Sequence, residues 1–324
     1  MTQIKDMTKN NMIIETEVLV KSLEIKQTKN NDNYLQLQLQ DQTGTIKAMI
    51  WNINANYKAQ KIESGTTLHI DKGTVSVYND ITSLIINEFD IDETIDIDTL
   101  IPAAPLSAKD LESRIYQIID LIDSEAIYSI TRRLMNNHKE KFFTQPAATN
   151  MHHEFKGGLA FHTFTMLQAA NFYLKIYPFL NKDLMYAGII LHDLGKVIEI
   201  NDYIDTSKTF KGELLGHINI INDLISQLLV MPDPYADNEI FNNTISNEDK
   251  DLVTELKHIV LSHHGELEWG SNVTPRTAEA QIIHYIDQID AKMMMFQKAF
   301  NQIDEGFTSK VFGIHNNRLY KRGE

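Results

Sequence analysis

The stretch MYAGIILHDLGKV (Met185–Val197) decides how the second half of this chain is interpreted. Its apolar first part predicts a buried helix, and His192 and Asp193 follow at once. Burying an ionised aspartate without a partner is costly, and an imidazole beside a carboxylate suits a divalent first-row metal ion. The alternative is a hydrogen-bonded core histidine next to an aspartate that caps a neighbouring helix. The dipeptide alone leaves both open.

Further histidines and aspartates lie in similar apolar, helical stretches of the C-terminal two thirds of the chain. In chain order they are His162, His217, the pair His263 and His264, and Asp287. Asp290 follows Asp287 by one helical turn and is the alternative carboxylate. Several such groups along one predicted helical region indicate a metal site more strongly than the dipeptide does.

The order H…HD…H…HH…D, over roughly residues 150–300, resembles that of the HD superfamily of metal-dependent phosphohydrolases. This resemblance implies one metal ion held by His162, His192, Asp193 and Asp287. It also implies a second ion on His217, His263 and His264, with Asp193 bridging, so that one ion or two are both open. Two ions about 4 Å apart hold the attacking and leaving oxygens of a phosphodiester.

Two further features lie beside these positions. Lys196 follows Asp193 by one turn, so we expect it to contact a substrate phosphate together with the catalytic Asp193. The alternative is a surface lysine. His152 and His153 either border the pocket or are ordinary loop residues.

Composition limits the class of protein. The chain has 324 residues, enough for about two domains, and no cysteine, which excludes disulfides and thiolate-bound zinc. No apolar run approaches the ~20 residues that span a bilayer, and the amino terminus lacks the apolar core of a signal peptide. We therefore expect a cytoplasmic protein without a membrane partner. A net charge of −14 argues against a broad basic face that coats duplex DNA.

The N-terminal part is predicted to be β-rich, with a helical segment at 55–65 before the fourth strand. The five strand-like runs are 13–25, 33–40, 45–51, 67–78 and 81–89. Three strands, a helix and two strands is the order of an OB-fold barrel, a fold that commonly binds single strands. Another small five-stranded barrel is the alternative.

Aromatic residues and one lysine in or near these strands are candidates for contacting nucleic acid. They are Tyr34, Trp51, Tyr57, Tyr78 and Lys47. Stacking of a base on such a ring contributes about 1–3 kcal/mol without regard to sequence. The alternative for each ring is a place in the barrel core.

The domain boundaries follow from a change of pattern near Pro102 and Pro105. We predict a multi-domain α and β protein, in which a five-stranded OB-like barrel precedes an all-α HD domain that begins with a helix capped by Ser107. A polar loop is predicted at 232–247. The predicted segments are the barrel at 1–90, an acidic linker at 91–106, the HD domain at 107–310 and a basic tail at 311–324.

An OB-like barrel followed by an HD domain resembles the YhaM-type 3′→5′ exoribonucleases. The resemblance implies manganese-dependent hydrolysis of single-stranded RNA to nucleoside 5′-monophosphates, and leaves open single-stranded DNA as a further substrate and a homo-oligomer. One alternative is an HD phosphohydrolase of small or cyclic nucleotides, although GELEWGSN (Gly265–Asn272) lacks the Gly-Tyr-Pro signature of cyclic-dinucleotide enzymes. The other is a non-catalytic regulatory protein that binds nucleic acid.

Overall fold

A computed structural model describes residues 1–78, 81–148, 155–230 and 246–323. His152, His153 and residues 232–245 of the predicted loop lie outside them. The chain divides into two compact units, Met1–Ala103 and Ala104–Glu324. Among the described helices, none is both long and apolar enough to cross a membrane.

The first unit is a closed five-stranded barrel. Its strands are β1 (Ile13–Gln27), β2 (Asn33–Asp41), β3 (Gly44–Ile50), β4 (Thr67–Tyr78) and β5 (Ile81–Ile91). They are hydrogen-bonded in the order β1-β2-β3-β5-β4, and β1 closes the barrel by pairing with β4. Only the β3–β5 pair is parallel among these strands. The predicted OB-like barrel is therefore confirmed.

Side-chain alternation explains the core of the barrel. Leu35, Leu37 and Leu39 on β2 are buried, while Gln36 and Gln38 between them are partly exposed. This is the period of two that a strand with one face on a core requires. The unusually long β1 has two bulges, which bend it so that one strand pairs with both β2 and β4.

The helix predicted at 55–65 is wrong. The segment contains two short 3₁₀ turns, Ile53–Ala55 and Ala59–Lys61. The side chain of Asn56 accepts a hydrogen bond from the backbone N–H of Ala59, and Asn52 adopts a left-handed conformation. Asparagine side chains that bind the local backbone favour turns over a continuous helix.

The second unit is mainly helical. Its helices are α1 (Ala108–Ile119), α2 (Glu125–Phe142), α3 (Gly158–Ile176), α4 (Lys182–Leu191), α5 (Lys196–Glu199), α6 (Phe210–Val230), α7 (Asn247–Ser262) and α8 (Ala278–Phe300). The Ser107 hydroxyl accepts a hydrogen bond from the Asp110 N–H, so the predicted cap of α1 is confirmed. Helix α4 is buried from Asp183 to Leu191 and packs against α2, α3, α7 and α8. It is the central helix of this unit.

The segment predicted as a basic tail at 311–324 contains a strand of a β-hairpin. Strand β6 (Gly306–Val311) pairs with β7 (Asn317–Lys321) in a hairpin, and Leu319 is buried in a small cluster with Ala299 of α8. His315 and Asn316 both have positive φ, as a type I′ turn requires. Arg318 Nε donates to the Thr308 carbonyl, and Lys321 Nζ donates to the carbonyls of Phe300 and Ile303, so these charged side chains help to hold the hairpin in place.

Candidate metal centre

The candidate site lies where several helices meet the C-terminal end of α4. His192 caps α4 and Asp193 follows it, so both are fixed at the end of the most buried helix of the unit. His162 is on α3, Asp287 is on α8, and the pair His263 and His264 follows α7. The chain order therefore brings residues far apart in sequence to one place.

His217 reaches the same place because α6 is kinked. Gly216, just before it, has φ of 68°, a left-handed conformation that glycine adopts without strain. The backbone of His217 also packs closely on Gly195, where an added Cβ would lie 2.1 Å from the His217 carbonyl oxygen. These two glycines let α6 approach the segment that carries Asp193.

The two carboxylate oxygens of Asp193 face two separate groups of histidines. Oδ2 lies 3.3 Å from His192 Nε2 and 3.9 Å from His162 Nε2. Oδ1 lies 3.4 Å from His217 Nε2 and 3.7 Å from His263 Nε2. A carboxylate placed in this way has the geometry of a bridge between two cations.

Potential ligand atoms form two matching clusters. In each cluster the ligand atoms lie within 4.8 Å of one another; one contains His162, His192 and Asp193, and the other contains His217, His263 and His264. Asp287 adjoins the first cluster, since its Oδ1 lies 3.3 Å from His162 Nε2. The structure thus brings together all seven residues that the sequence suggests as ligands.

The hydrogen bonds of the imidazoles fix which nitrogen faces the centre. His192 Nδ1 donates to the Ile189 carbonyl and His263 Nδ1 to the Val260 carbonyl, each at 2.7 Å. His264 Nδ1 donates to the Trp269 carbonyl at 2.9 Å. A carbonyl oxygen only accepts, so Nδ1 bears the hydrogen and the Nε2 of each neutral ring has a free lone pair.

Carboxylates orient the other two histidines. His162 Nδ1 is 2.7 Å from Asp290 Oδ2, and His217 Nδ1 is 2.9 Å from Glu199 Oε2. Asp290 thus contacts a candidate ligand from behind, and Asp287 is the carboxylate nearer the centre. Histidines that bind metals commonly donate their second nitrogen to such a partner, which fixes the ring.

The inward atoms lack donors within the described parts of the chain. His192 Nε2, His217 Nε2, His263 Nε2 and Asp193 Oδ1 are buried without a hydrogen-bond partner there. Lone pairs that face one another at 3.3–3.7 Å repel unless a cation lies between them. Imidazole and carboxylate donors suit divalent first-row ions, so the residues fit a pair of such ions.

The electrostatics agree with a cation-binding centre. Burial by itself lowers the pKa of His162, but hydrogen bonds to Asp287 and Asp290 raise it to about 10. Two carboxylates thus contact this buried imidazole, an environment that favours a cation. Burial also raises the pKa of Asp193, yet the ammonium of Lys196 and the neighbouring imidazole of His192 hold it well below its usual value.

Lys196 and Glu199 lie on the short helix α5 next to the centre. Lys196 Nζ donates to Asp193 Oδ2 at 2.7 Å, so the structure places this candidate at the site and excludes an ordinary surface lysine. Glu199 also pairs with Lys208 Nζ at 3.0 Å. Sequence reasoning missed Glu199, although an acidic residue in an otherwise apolar helical stretch six residues after Asp193 was a usable signal.

His284 supports the His263–His264 turn. Its buried imidazole donates through Nδ1 to the His263 carbonyl at 2.9 Å. Gly265 has φ of 84° and leaves room for this ring, since an added Cβ would lie 2.2 Å from it. His284 thus fixes the backbone that carries two candidate ligands.

In the barrel, the structure brings together some of the candidate nucleic-acid contacts. The ring of Tyr34 on β2 is a neighbour of the ring of Trp51, which directly follows β3; their centroids are 4.6 Å apart, and Trp51 is 42% exposed. Lys47 is exposed on β3, opposite Gln38 of β2. Tyr57 and Tyr78 are exposed as well, but Tyr57 lies in the β3–β4 connection and Tyr78 at the end of β4. None of these four rings is therefore a fully buried core residue.

Comparisons with known families agree with this description of the fold. A family model described as HD domain matches residues 159–292, and one described as OB-fold nucleic acid binding domain matches residues 15–92. The HD match contains all the candidate metal ligands. The second match contains nearly the whole barrel.

Similarity to a curated relative extends over almost the whole chain. The 3′-5′ exoribonuclease YhaM of Geobacillus sp. (strain WCH70) is 36% identical over 312 residues, which cover 95% of this chain and 91% of the relative. Among solved structures, the second OB-fold domain of replication protein A from Methanococcus maripaludis is 18% identical, covers 29% of this chain and 97% of that domain, and has a TM-score of 0.24. The OB domain of MM0293 from Methanosarcina mazei is 24% identical, with coverages of 29% and 85% and a TM-score of 0.25.

Proposed function

Because this chain belongs to the YhaM family of 3′-5′ exoribonucleases, we propose that it trims single-stranded RNA from the 3′ end and releases nucleoside 5′-monophosphates. Residues 1–90 bind the strand, and residues 107–310 hydrolyse it. Single-stranded DNA is a second substrate of the same site. The observation that supports hydrolysis best is Asp193, whose two oxygens face two groups of histidine donors.

The proposed metal ligands follow from the distances. One divalent ion binds His162, His192, Asp193 and Asp287, and the other binds Asp193, His217, His263 and His264. We assign manganese on the family membership, since imidazole and carboxylate donors suit several first-row ions equally well. Asp290 and Glu199 hold two of the imidazoles in place.

When bound, a pair of such ions lowers the pKa of a water molecule and neutralises charge on the scissile phosphodiester. The chain itself supplies the remaining parts. Lys196, with its ammonium 2.7 Å from Asp193 and its side chain 12% exposed, turns toward a non-bridging phosphate oxygen of the substrate. Asp193 keeps its charge in this buried position because Lys196 and the imidazoles compensate it.

The barrel provides a surface for the strand. The neighbouring rings of Tyr34 and Trp51 offer an aromatic face, and Lys47 contributes a positive charge on β3. Stacking does not depend on base identity, so this surface favours single strands of any sequence. A cytoplasmic location and a homo-oligomer stay predictions from the sequence.

A labelled oligonucleotide tests the proposal. We expect a 5′-labelled single-stranded RNA with Mn²⁺ to shorten stepwise from its 3′ end, and Asp193→Ala to abolish the shortening. A circular RNA of the same sequence is the control and should stay intact. Cleavage of the circle would show an endonuclease, cleavage of a cyclic dinucleotide alone would show a small-nucleotide hydrolase, and binding without cleavage would show a regulatory protein.

A further inference from the structure

The candidate ligands differ in exposure. The imidazoles of His162 and His192 are completely buried. The side chains of Asp287 and His217 are 13% and 12% exposed, and His264 is half-buried. The side of His217 and His264 is therefore one on which a substrate from solution reaches the centre.

Exposed apolar side chains flank both of these histidines. Leu214 and Leu215 precede His217, and they are 67% and 41% exposed. Leu267 and Trp269 follow His264, and they are 58% and 53% exposed. Apolar groups clustered beside a polar site are more often ligand contacts than scattered surface residues are.

The two flanking segments are joined to each other. The side chain of Asn272 donates to Asn219 Oδ1 at 2.8 Å, and the rings of His217 and His264 lie 5.3 Å apart. The Asn272 backbone N–H also donates to the Leu261 carbonyl at 3.0 Å. The apolar residues thus belong to one fixed rim rather than to two independent loops.

Trp269 is held closely to the histidine pair while its indole stays half exposed. The backbone carbonyl of Trp269 accepts the hydrogen bond from His264 Nδ1 at 2.9 Å, and its backbone N–H donates to the Glu266 carbonyl at 3.1 Å. The indole centroid lies 5.9 Å from the ring of the buried His284. A large aromatic ring that is rigid but not buried is well suited to stacking, because little conformational entropy is lost on binding.

We propose that Trp269 is the stacking platform for the terminal nucleobase of the strand, a binding site that deepens the function proposed above and rests on it. Glu266 and Glu268, which lie close to Trp269 in sequence, are both exposed. Negative charge there repels phosphate, so the platform receives the neutral base while the phosphodiester lies at the metal centre. Stacking accepts any base, in keeping with trimming that does not depend on sequence.

The test compares two substrates, and it uses the wild-type protein and three variants. One RNA has an ordinary 3′-terminal nucleotide, and the other has an abasic residue there. We expect Trp269→Ala to lower kcat/KM for removal of the ordinary nucleotide about 5- to 150-fold, the equivalent of about 1–3 kcal/mol for one stacked base. Trp269→Phe should retain most of the activity, and Phe179→Ala, which removes another exposed ring, should change nothing.

The abasic RNA separates stacking from a structural role. The wild-type protein should process the abasic RNA as slowly as Trp269→Ala processes the ordinary RNA. On the abasic RNA, Trp269→Ala and the wild type should have the same kcat/KM. Equal losses on both substrates would overturn the proposal, because Trp269 would then act only through His264. Equal rates for the wild type and Trp269→Ala on the ordinary RNA would overturn it too.

A binding measurement keeps the proposal testable even when no RNA is cleaved, an outcome that would defeat the proposed function by itself. The chain has two tryptophans, so the fluorescence of Trp51→Phe reports Trp269 alone. We expect a nucleoside 5′-monophosphate to quench it and ribose 5-phosphate to leave it unchanged. Equal responses to the two compounds would contradict stacking of the base.

Discussion

Glu199→Gln should lower the affinity for one metal ion and leave the affinity for the other unchanged. The carboxylate of Glu199 accepts a hydrogen bond from His217 Nδ1 at 2.9 Å and lies next to no other candidate ligand among the described residues. Burial raises its pKa, but His217 and Lys208 lower the pKa to about 2, so the group is ionised at neutral pH. Glutamine keeps the shape and an acceptor oxygen but removes the charge.

The expected size follows from that single hydrogen bond. Exchanging a charged acceptor for a neutral one lowers the contribution of a hydrogen bond by about 1–2 kcal/mol. This corresponds to about 5- to 30-fold in ion affinity. Loss of a partner behind a metal-bound histidine typically costs about 10- to 100-fold, so the two figures overlap. Calorimetric titration of the metal-stripped protein with Mn²⁺ measures the affinity of each ion.

Asp290→Asn is the matched variant, because Asp290 contacts His162 in the same way that Glu199 contacts His217. We expect it to lower the affinity for the other ion, the one assigned to His162. Glu213→Gln removes an exposed carboxylate from α6 and should affect neither. The division of the ligands into two groups is wrong if Glu199→Gln and Asp290→Asn lower the affinity for the same ion. It is also wrong if neither variant lowers the affinity for either ion.

Three further predictions concern single side chains. Lys196→Ala should lower kcat about 100-fold or more at unchanged metal content in a single-turnover assay, because it removes a charge from the reacting phosphate. Trp51→Ala and Tyr34→Ala should each raise the Kd for single-stranded RNA about 5- to 150-fold by fluorescence anisotropy. Their effects should be less than additive, because the rings contact each other at 4.6 Å. Gly195→Ala should lower the Tm by the equivalent of about 1–3 kcal/mol and release metal, because its Cβ overlaps the backbone of His217.

The sequence singles out the candidate ligands because their chemistry is unusual. Histidines and aspartates in apolar helical stretches have few structural explanations, so several of them together indicate a metal site that His192 and Asp193 alone do not. The alternation of Leu35, Leu37 and Leu39 likewise indicates a strand of the barrel. Both signals come from residues close together in sequence, and the structure shows the expected burial in β2 and in α4.

Contacts between distant segments cannot be read from local patterns. Glu199 becomes meaningful only when the kink at Gly216 brings His217 to it. The connection at 55–65 has a helical composition, but the Asn56 side chain binds the backbone and favours a turn. In the hairpin β6–β7, the few buried residues are too short a pattern to distinguish a strand from a basic tail.

The proposed hydrolysis depends most on Asp193 bridging two metal ions. The most direct measurement is anomalous X-ray diffraction at the manganese absorption edge, from crystals of the full chain grown with Mn²⁺. We predict two anomalous peaks about 3.5–4 Å apart, the separation of two-metal phosphoesterase sites, with one Asp193 oxygen directed at each. A single peak bound by His162, His192, Asp193 and Asp287, with no density beside His217 and His263, would show that Asp193 does not bridge two ions.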